Sequence, residues 1–226
     1  MDFKVKNINI KELAPTFVEN FTDENVPKSI YKDYYKKIGK FKKYIGLGSK
    51  YFFGHLHDSK ILECKSNNGN LYLKINEMAT LEFACALIEK FNLKIDISKI
   101  TFPLEIISEN TSHLSLNTVD MDGRIYESKF VKLHEYLYEE IIEWNNDNIK
   151  IAFDLWTNKL KQNRYLLIVS CKKLIINEEQ HMYWKKYFGE EYNKYYDTFL
   201  KERSKGKYLS DYSLCEKLIE KLNEGK

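Results

Sequence analysis

The sequence contains no apolar run of about 18 residues, the length that a membrane-spanning helix needs. Its opening residues, MDFKVKNINI, lack the long apolar core of a secretory signal peptide. Only three of its 36 basic residues are arginine, the residue that makes the commonest base-specific contact with DNA. These absences predict a cytoplasmic protein that spans no membrane, and they argue against base-specific reading of DNA.

Motifs of several enzyme and metal-site classes are missing as well. The four cysteines are widely scattered and form no Cys-x-x-Cys pair, so free thiols are expected rather than a zinc site. Gly46 and Gly48 lack the third glycine and the strand-to-helix setting of a phosphate-binding loop. No serine lies in a Gly-x-Ser-x-Gly turn. The sequence therefore predicts no cofactor and favours a protein without catalytic function, although a novel active site needs no known motif.

The composition is that of a folded chain with a substantial core. Hydrophobic residues make up 43% and aromatic residues 15% of the 226 positions, well above the content of disordered chains. We expect one α+β domain over 1–226, with a mainly helical N-terminal part at 1–50, a β-rich core at 51–176 and a helical part at 177–226. The predicted architecture is an antiparallel sheet of about six to eight strands, flanked by an N-terminal basic helix and two C-terminal helices.

Two hairpins define the predicted sheet. Residues 71–75 alternate apolar and polar side chains, and Asn68-Gly69 before them supplies the positive φ angles of a tight turn from the preceding strand. A second turn is expected over Asp120–Gly123, which joins strand patterns on either side. Further strands are predicted at 102–107, 149–155 and 164–170, where the last pattern extends towards 176.

Three other segments carry helical or mixed patterns. Residues 79–92 fit both a strand and a helix, and their Ala, Glu and Lys content favours the helix. Residues 134–144 are predicted to form a short helix or turn, with the glutamates at 139, 140 and 143 on an exposed face. After residue 177 the period is helical, with an aromatic stripe and a separate last helix. The stripe comprises Trp184, Phe188, Tyr192, Tyr195 and Phe199.

The densest group of chemically capable side chains is His55, His57 and Asp58. On an extended segment His55 and His57 point the same way, as two ligands of one metal must, and Asp58 could support them. Further ligands would have to come from elsewhere in the chain. A metal-dependent enzyme at this position is one hypothesis. The other is that Asp58 or Ser59 binds backbone donors where a strand begins.

A lysine ridge lies on the predicted helix that precedes this group. Residues 27–50 contain eight lysines against one aspartate. Such a ridge suits phosphates or an acidic protein, or it is simply a solvated face. A nucleic-acid-associated protein predicts binding that falls steeply with salt and is lost on Lys36→Glu with Lys40→Glu. The candidate partner-binding residues are Lys32, Lys36, Lys40, Lys43, Tyr31 and Tyr35.

Two short motifs carry a family resemblance. The run Leu56–Ile61 leads into a hairpin, and Tyr136–Glu140 follows well downstream. This order resembles an uncharacterised bacterial family with a Leu-His-Asp-Ser strand and a β-rich C-terminal part, over about 56–176, whereas the helical residues after 176 depart from it. The chain also looks similar to immunity proteins of bacterial toxin systems. The resemblance implies a bacterial, non-catalytic, protein-binding role of immunity or accessory type, and it supplies no catalytic residue.

Overall fold

The computed structural model describes residues 56–120, 122–144, 147–157, 164–178, 180–204 and 212–224. These residues form an antiparallel seven-stranded sheet and four α-helices, which confirms the α+β class. The predicted N-terminal basic helix lies outside the described residues. The strands are β1 (Ser59–Asn67), β2 (Asn70–Asn76), β3 (Pro103–Val119), β4 (Ile125–Ser128), β5 (Glu135–Trp144), β6 (Ile149–Trp156) and β7 (Arg164–Glu178). The helices are α1 (Met78–Phe91), α2 (Gln180–Phe188), α3 (Asn193–Ser204) and α4 (Tyr212–Glu224).

Six strands of the sheet close into a ring. The strand order is β2-β1-β5-β6-β7-β3-β4, and β2 also pairs with the first half of β3. β4 extends from the second half of β3. The ring closes between β1 and β5 through only two residue pairs, Ser59 with Tyr136 and Lys60 with Glu135. The sheet is therefore continuous on most of its circumference and opens next to β1.

Alternation along the strands fills the inside of the ring. Leu71, Leu73 and Ile75 of β2 are buried, while the residues between them are partly exposed, as the sequence predicts. Both hairpin turns are confirmed, since Asn68 and Gly69 have positive φ angles and β3 pairs with β4 across 120–123. The first core is thus a cylinder of apolar side chains from β1, β2, β3, β5, β6 and β7.

The helices build a second core beyond the end of β2. Residues 79–92 were open to two interpretations, and the structure has α1 there, so the helix is confirmed. Glu77 is the N-cap of α1, and its carboxylate accepts hydrogen bonds from the backbone N–H groups of Ala79 and Thr80. The backbone N–H of Glu77 donates to the carbonyl of Phe102 at 3.0 Å. These bonds fix α1 to the start of β3, and the C-terminal helices complete its apolar environment.

Three helices rather than two follow the sheet in the described residues. Gly189 has a φ angle of 76°, a conformation that non-glycine residues rarely adopt, and it separates α2 from a short turn and α3. The predicted aromatic stripe therefore spans a break instead of one helix. Four of its five rings are buried, and Tyr192 is partly buried.

Residues 135–144 form β5, so the prediction of a helix or turn is wrong. Two β-bulges explain the difference, one between Tyr136 and Tyr138 and one between Ile141 and Glu143. Each bulge adds a residue to the strand, so apolar side chains recur three or four positions apart instead of every second position. The same spacing marks one face of a helix, and the pattern alone does not separate the two structures.

Candidate functional site

The predicted lysine ridge and His55 lie outside the described residues. The candidate residues of the ridge are Lys32, Lys36, Lys40, Lys43, Tyr31 and Tyr35. The nucleic-acid and metal-site hypotheses that depend on these positions stay predictions.

His57 and Asp58 lie in the turn that precedes β1. The Nδ1 atom of His57 is 2.9 Å from Oδ2 of Asp58, and Asp58 adopts a left-handed φ angle of 59°. Within the described ranges, no group of three or more His, Cys, Asp or Glu residues could hold a metal ion. Ser59 accepts a hydrogen bond from the backbone N–H of Met78 at 3.1 Å. The turn therefore ties the start of β1 to the start of α1.

A buried ion pair lies close to His57. Asp154 on β6 is fully buried, and Arg164 on β7 holds it with two hydrogen bonds of 3.0 and 2.8 Å. Burial raises the pKa of Asp154 from its ordinary value of 3.8 to about 6, while the charges of Arg164 and His57 act in the opposite direction. The ion pair therefore lies within electrostatic reach of the turn before β1.

Replacing Asp154 by Asn is expected to remove a pH-dependent loss of stability. A carboxyl whose pKa is higher in the folded state stabilises the fold while protonated, and that contribution disappears as pH rises through the folded-state pKa. Relative to Asp154→Asn, the wild type should lose up to about 3 kcal/mol of unfolding free energy between about pH 4 and pH 6, because one pKa unit corresponds to about 1.4 kcal/mol. Urea unfolding of both proteins across this range measures the difference. If the wild type instead gains stability relative to the variant as pH rises, the charge of Arg164 affects the pKa of Asp154 more strongly than burial does.

A chain of polar side chains follows the neighbouring strand β3. His113 Nε2 lies 3.0 Å from Oγ of Ser115, and Asn117 Nδ2 donates a hydrogen bond of 3.0 Å to the same Oγ. Asn117 is fully buried, and its Oδ1 has no hydrogen-bond partner among the residues that the structure describes. Cross-strand pairing places Asn117 beside Leu166 and Leu166 beside Asp154. The polar row and the ion pair thus share one face of the sheet.

Two buried glutamates on β5 were missed by the sequence analysis. Glu139 and Glu140 are only 4% and 1% exposed, so the prediction of an exposed face is wrong for both and holds only for Glu143. The hydroxyl of Tyr136 donates to Oε2 of Glu139 at 2.7 Å. The bulge between Tyr136 and Tyr138 turns Glu139 to the side that Phe153 shares. A charge-rich strand was read as exposed because charged residues are rarely buried without partners.

An open groove lies where the ring is weakest. Its walls are residues 61–64 of β1 and residues 130–133, the segment before β5, and its volume is about 350 Å³. Leu62, Phe130 and Val131 leave 43%, 40% and 36% of their surface exposed there. We call this feature the β1 groove. Exposed apolar side chains of this size that cluster beside a cleft are typical of binding surfaces.

The wall of the β1 groove that belongs to β1 has a strand edge that is unpaired among the described residues. β1 pairs with β2 from Lys60 to Asn67, except at Leu62, but with β5 only at Ser59 and Lys60. The backbone N–H of Ile61 still bonds to the carbonyl of His134 at 2.8 Å. From Glu63 onward, no described strand continues this edge. Within the described part of the chain, the backbone donors and acceptors of this edge are therefore open to a partner.

Charge is unevenly distributed around the β1 groove. Glu63 forms an ion pair of 2.6 Å with Lys65, and Glu135 lies opposite Lys60 in the backbone register of β1 and β5. The exposed residues Lys129 and Lys132, in contrast, have no ion-pair partner among the residues that the structure describes. Lys132 gives the second wall a net positive charge, and Lys129 directly precedes that wall along the chain.

No helix in the described part of the chain has the length and apolar character needed to cross a membrane. Comparison with protein-family models, with curated proteins and with solved structures gives no significant match.

Proposed function

We propose that this chain is a non-catalytic bacterial protein of immunity or accessory type, which binds another protein through the β1 groove. The observation that carries the proposal is a strand edge that no described strand pairs with, beside three exposed apolar side chains. An open edge of this kind is a template for pairing with a second chain, and proteins normally cover it or flank it with charges. Main-chain hydrogen bonds would supply affinity, and the neighbouring side chains would supply selectivity.

The side chains of the β1 groove suit binding better than reaction. Burial raises the pKa of the Cys64 thiol to about 12, so this cysteine stays protonated near neutral pH and is a poor nucleophile. Glu63 is engaged by Lys65 at 2.6 Å. The remaining wall residues are apolar apart from Lys132. These contacts support recognition of a partner surface without a chemical step.

Affinity capture with matched variants tests the proposal. Leu62→Asp and Val131→Asp place a carboxylate on an apolar wall and should each reduce recovery of the partner at least about tenfold, the effect of about 1.4 kcal/mol. Met182→Asp is the control, since Met182 is an exposed apolar residue on α2, 61% exposed and outside the groove. Mass spectrometry compares the proteins captured by the full-length wild type and by each variant.

The outcome separates the groove from other surfaces. A partner that is retained by Met182→Asp and lost by both groove variants supports the proposal. Equal capture by all the variants, or no partner at all, would overturn it. The immunity version has its own readout, because co-expression with a toxin-like neighbouring gene should protect cells only when the groove is intact.

A further inference from the structure

We propose that the occupant of the β1 groove is an acidic, extended segment of a partner protein, which adds to the open edge of β1 as a further strand. This inference rests on the proposed function and specifies its ligand. Two independent features carry it, namely the direction of the backbone groups of β1 and the surplus charge on the opposite wall.

The hairpin register fixes which backbone groups of β1 face the groove. Asn67 and Asn70 flank a two-residue turn, so they form a hydrogen-bonded pair, and such pairs alternate with non-bonded pairs along the ladder. Cys64 and Ser66 fall at non-bonded positions, so their N–H and C=O groups point away from β2. Leu71, the partner of Ser66, confirms that this pair is non-bonded. Its backbone N–H donates to Ser108 Oγ at 2.7 Å instead of to β1.

A bulge explains why β5 leaves this edge free. The register between β1 and β2 shifts between Ile61 and Glu63, so Leu62 is the extra residue, and its side chain is exposed. A bulge bends and twists its strand. β5 therefore pairs with β1 only before the bulge, and residues 130–133 diverge to form the second wall. An extended segment is the ligand that satisfies a row of outward-facing backbone groups, because its own groups repeat with the same spacing.

The charge around the β1 groove selects an acidic ligand. Near β1, the carboxylate of Glu63 is already balanced by Lys65. Lys132 remains exposed on the other wall and lines the groove itself, and the exposed Lys129 directly precedes that wall. A second copy of this chain would bring the same two lysines towards their counterparts, which like-charge repulsion disfavours. Asp or Glu side chains that alternate with apolar ones complement both walls.

Three synthetic heptapeptides with blocked ends test the inference on the full chain. The first alternates Val and Glu, the second alternates Val and Lys, and the third is the Val/Glu peptide with backbone N-methyl groups along one edge. NMR titration follows the amide signals of Cys64 and Ser66. The Val/Glu peptide should shift both signals and bind at least about tenfold more tightly than the Val/Lys peptide, since each exposed charge pair contributes up to a few-fold. The N-methylated peptide should not bind when its blocked edge is the one that faces β1.

A charge-reversed protein provides the matched control. Lys129→Glu with Lys132→Glu leaves the strand edge unchanged, so it should bind the Val/Lys peptide in preference to the Val/Glu peptide. Both substitutions lie at exposed positions, so folding should be retained. Rising salt concentration should weaken the binding of the preferred peptide to each protein.

Each result decides the inference separately from the proposed function. Equal binding of the Glu and Lys peptides would overturn the acidic ligand, and undiminished binding of the N-methylated peptide would overturn strand addition. No binding of any peptide, or a dimer in sedimentation that Leu62→Asp dissociates, would overturn the inference as a whole. The capture experiment with the groove variants still judges protein binding, because it uses the natural partner.

Discussion

Replacing Arg203 by Met is expected to lower the free energy of unfolding by about 3–5 kcal/mol, the usual effect of removing one partner of a buried ion pair. Arg203 on α3 and Glu77 at the start of α1 are both fully buried at their side chains. Arg203 Nη2 donates to Glu77 Oε1 at 2.7 Å, and Nη1 donates to Oε2 at 3.3 Å. Without the guanidinium, the carboxylate of Glu77 stays buried with its main charge partner removed.

The position of Glu77 makes this pair important for the whole helical layer. Its carboxylate also caps α1 and lies 3.5 Å from Nε2 of Gln180, which begins α2. Gln180 in turn accepts hydrogen bonds from Thr80 and from the Tyr196 hydroxyl on α3. One polar network therefore joins the first turns of α1 and α2 to α3, next to the end of the sheet. We expect its loss to loosen the helices from the sheet before the strands separate.

Urea unfolding followed by circular dichroism measures the effect, with two companion variants. Arg124→Met removes an exposed arginine and should change stability by no more than about 0.5 kcal/mol. Glu77→Gln with Arg203→Met removes both charges, so it should cost less than the sum of the single substitutions. A loss below about 1 kcal/mol for Arg203→Met alone would show that the pair contributes little.

The strands that could be predicted are those whose apolar and polar residues alternate and whose turns lie next to them in the sequence. β2 has one buried and one exposed face, so its alternation is visible in the sequence. The Asn68-Gly69 turn is required by positive φ angles and fixes the register of the first hairpin. The closure of the ring of strands, in contrast, could not be predicted from local patterns. The pairing of β2 with β3 and of β1 with β5 joins segments distant in sequence, and no local pattern specifies which edges meet.

Little of the candidate site could be predicted from the sequence. The sequence pointed to His57 because of its dense chemical neighbours, and the structure adds the Asp154–Arg164 pair next to it. Neither Asp154 nor Arg164 belongs to a motif, since their importance comes from burial and cross-strand placement. The β1 groove was missed for a related reason. A bulge at Leu62 and the divergence of a neighbouring segment create it, and neither is visible as a composition or a period.

Replacing Trp184 by Ala is the second substitution with a large expected effect, a loss of about 3–5 kcal/mol. Trp184 on α2 is fully buried. Its ring stacks at 4.3 Å from Phe188 and at 4.8 Å from Tyr196, and it lies 5.7 Å from the ring of Phe83 on α1. The side chain thus connects three helices, and its removal leaves a cavity that rings on separate elements cannot readily close.

A graded series distinguishes this packing role from the single hydrogen bond of the indole. Trp184 Nε1 donates to the carbonyl of Tyr192 at 3.3 Å, a bond that Trp184→Phe also removes. Trp184→Phe should therefore lose clearly less stability than Trp184→Ala, because it keeps most of the stacked surface and gives up one bond worth about 1 kcal/mol. Tyr126→Ala, at an aromatic residue 48% exposed on β4, should cost less than either. If Phe and Ala at position 184 destabilise equally in urea unfolding, the hydrogen bond and not the aromatic stack holds α2 in place. The helical layer would then depend on polar contacts throughout, in line with the Glu77–Arg203 network.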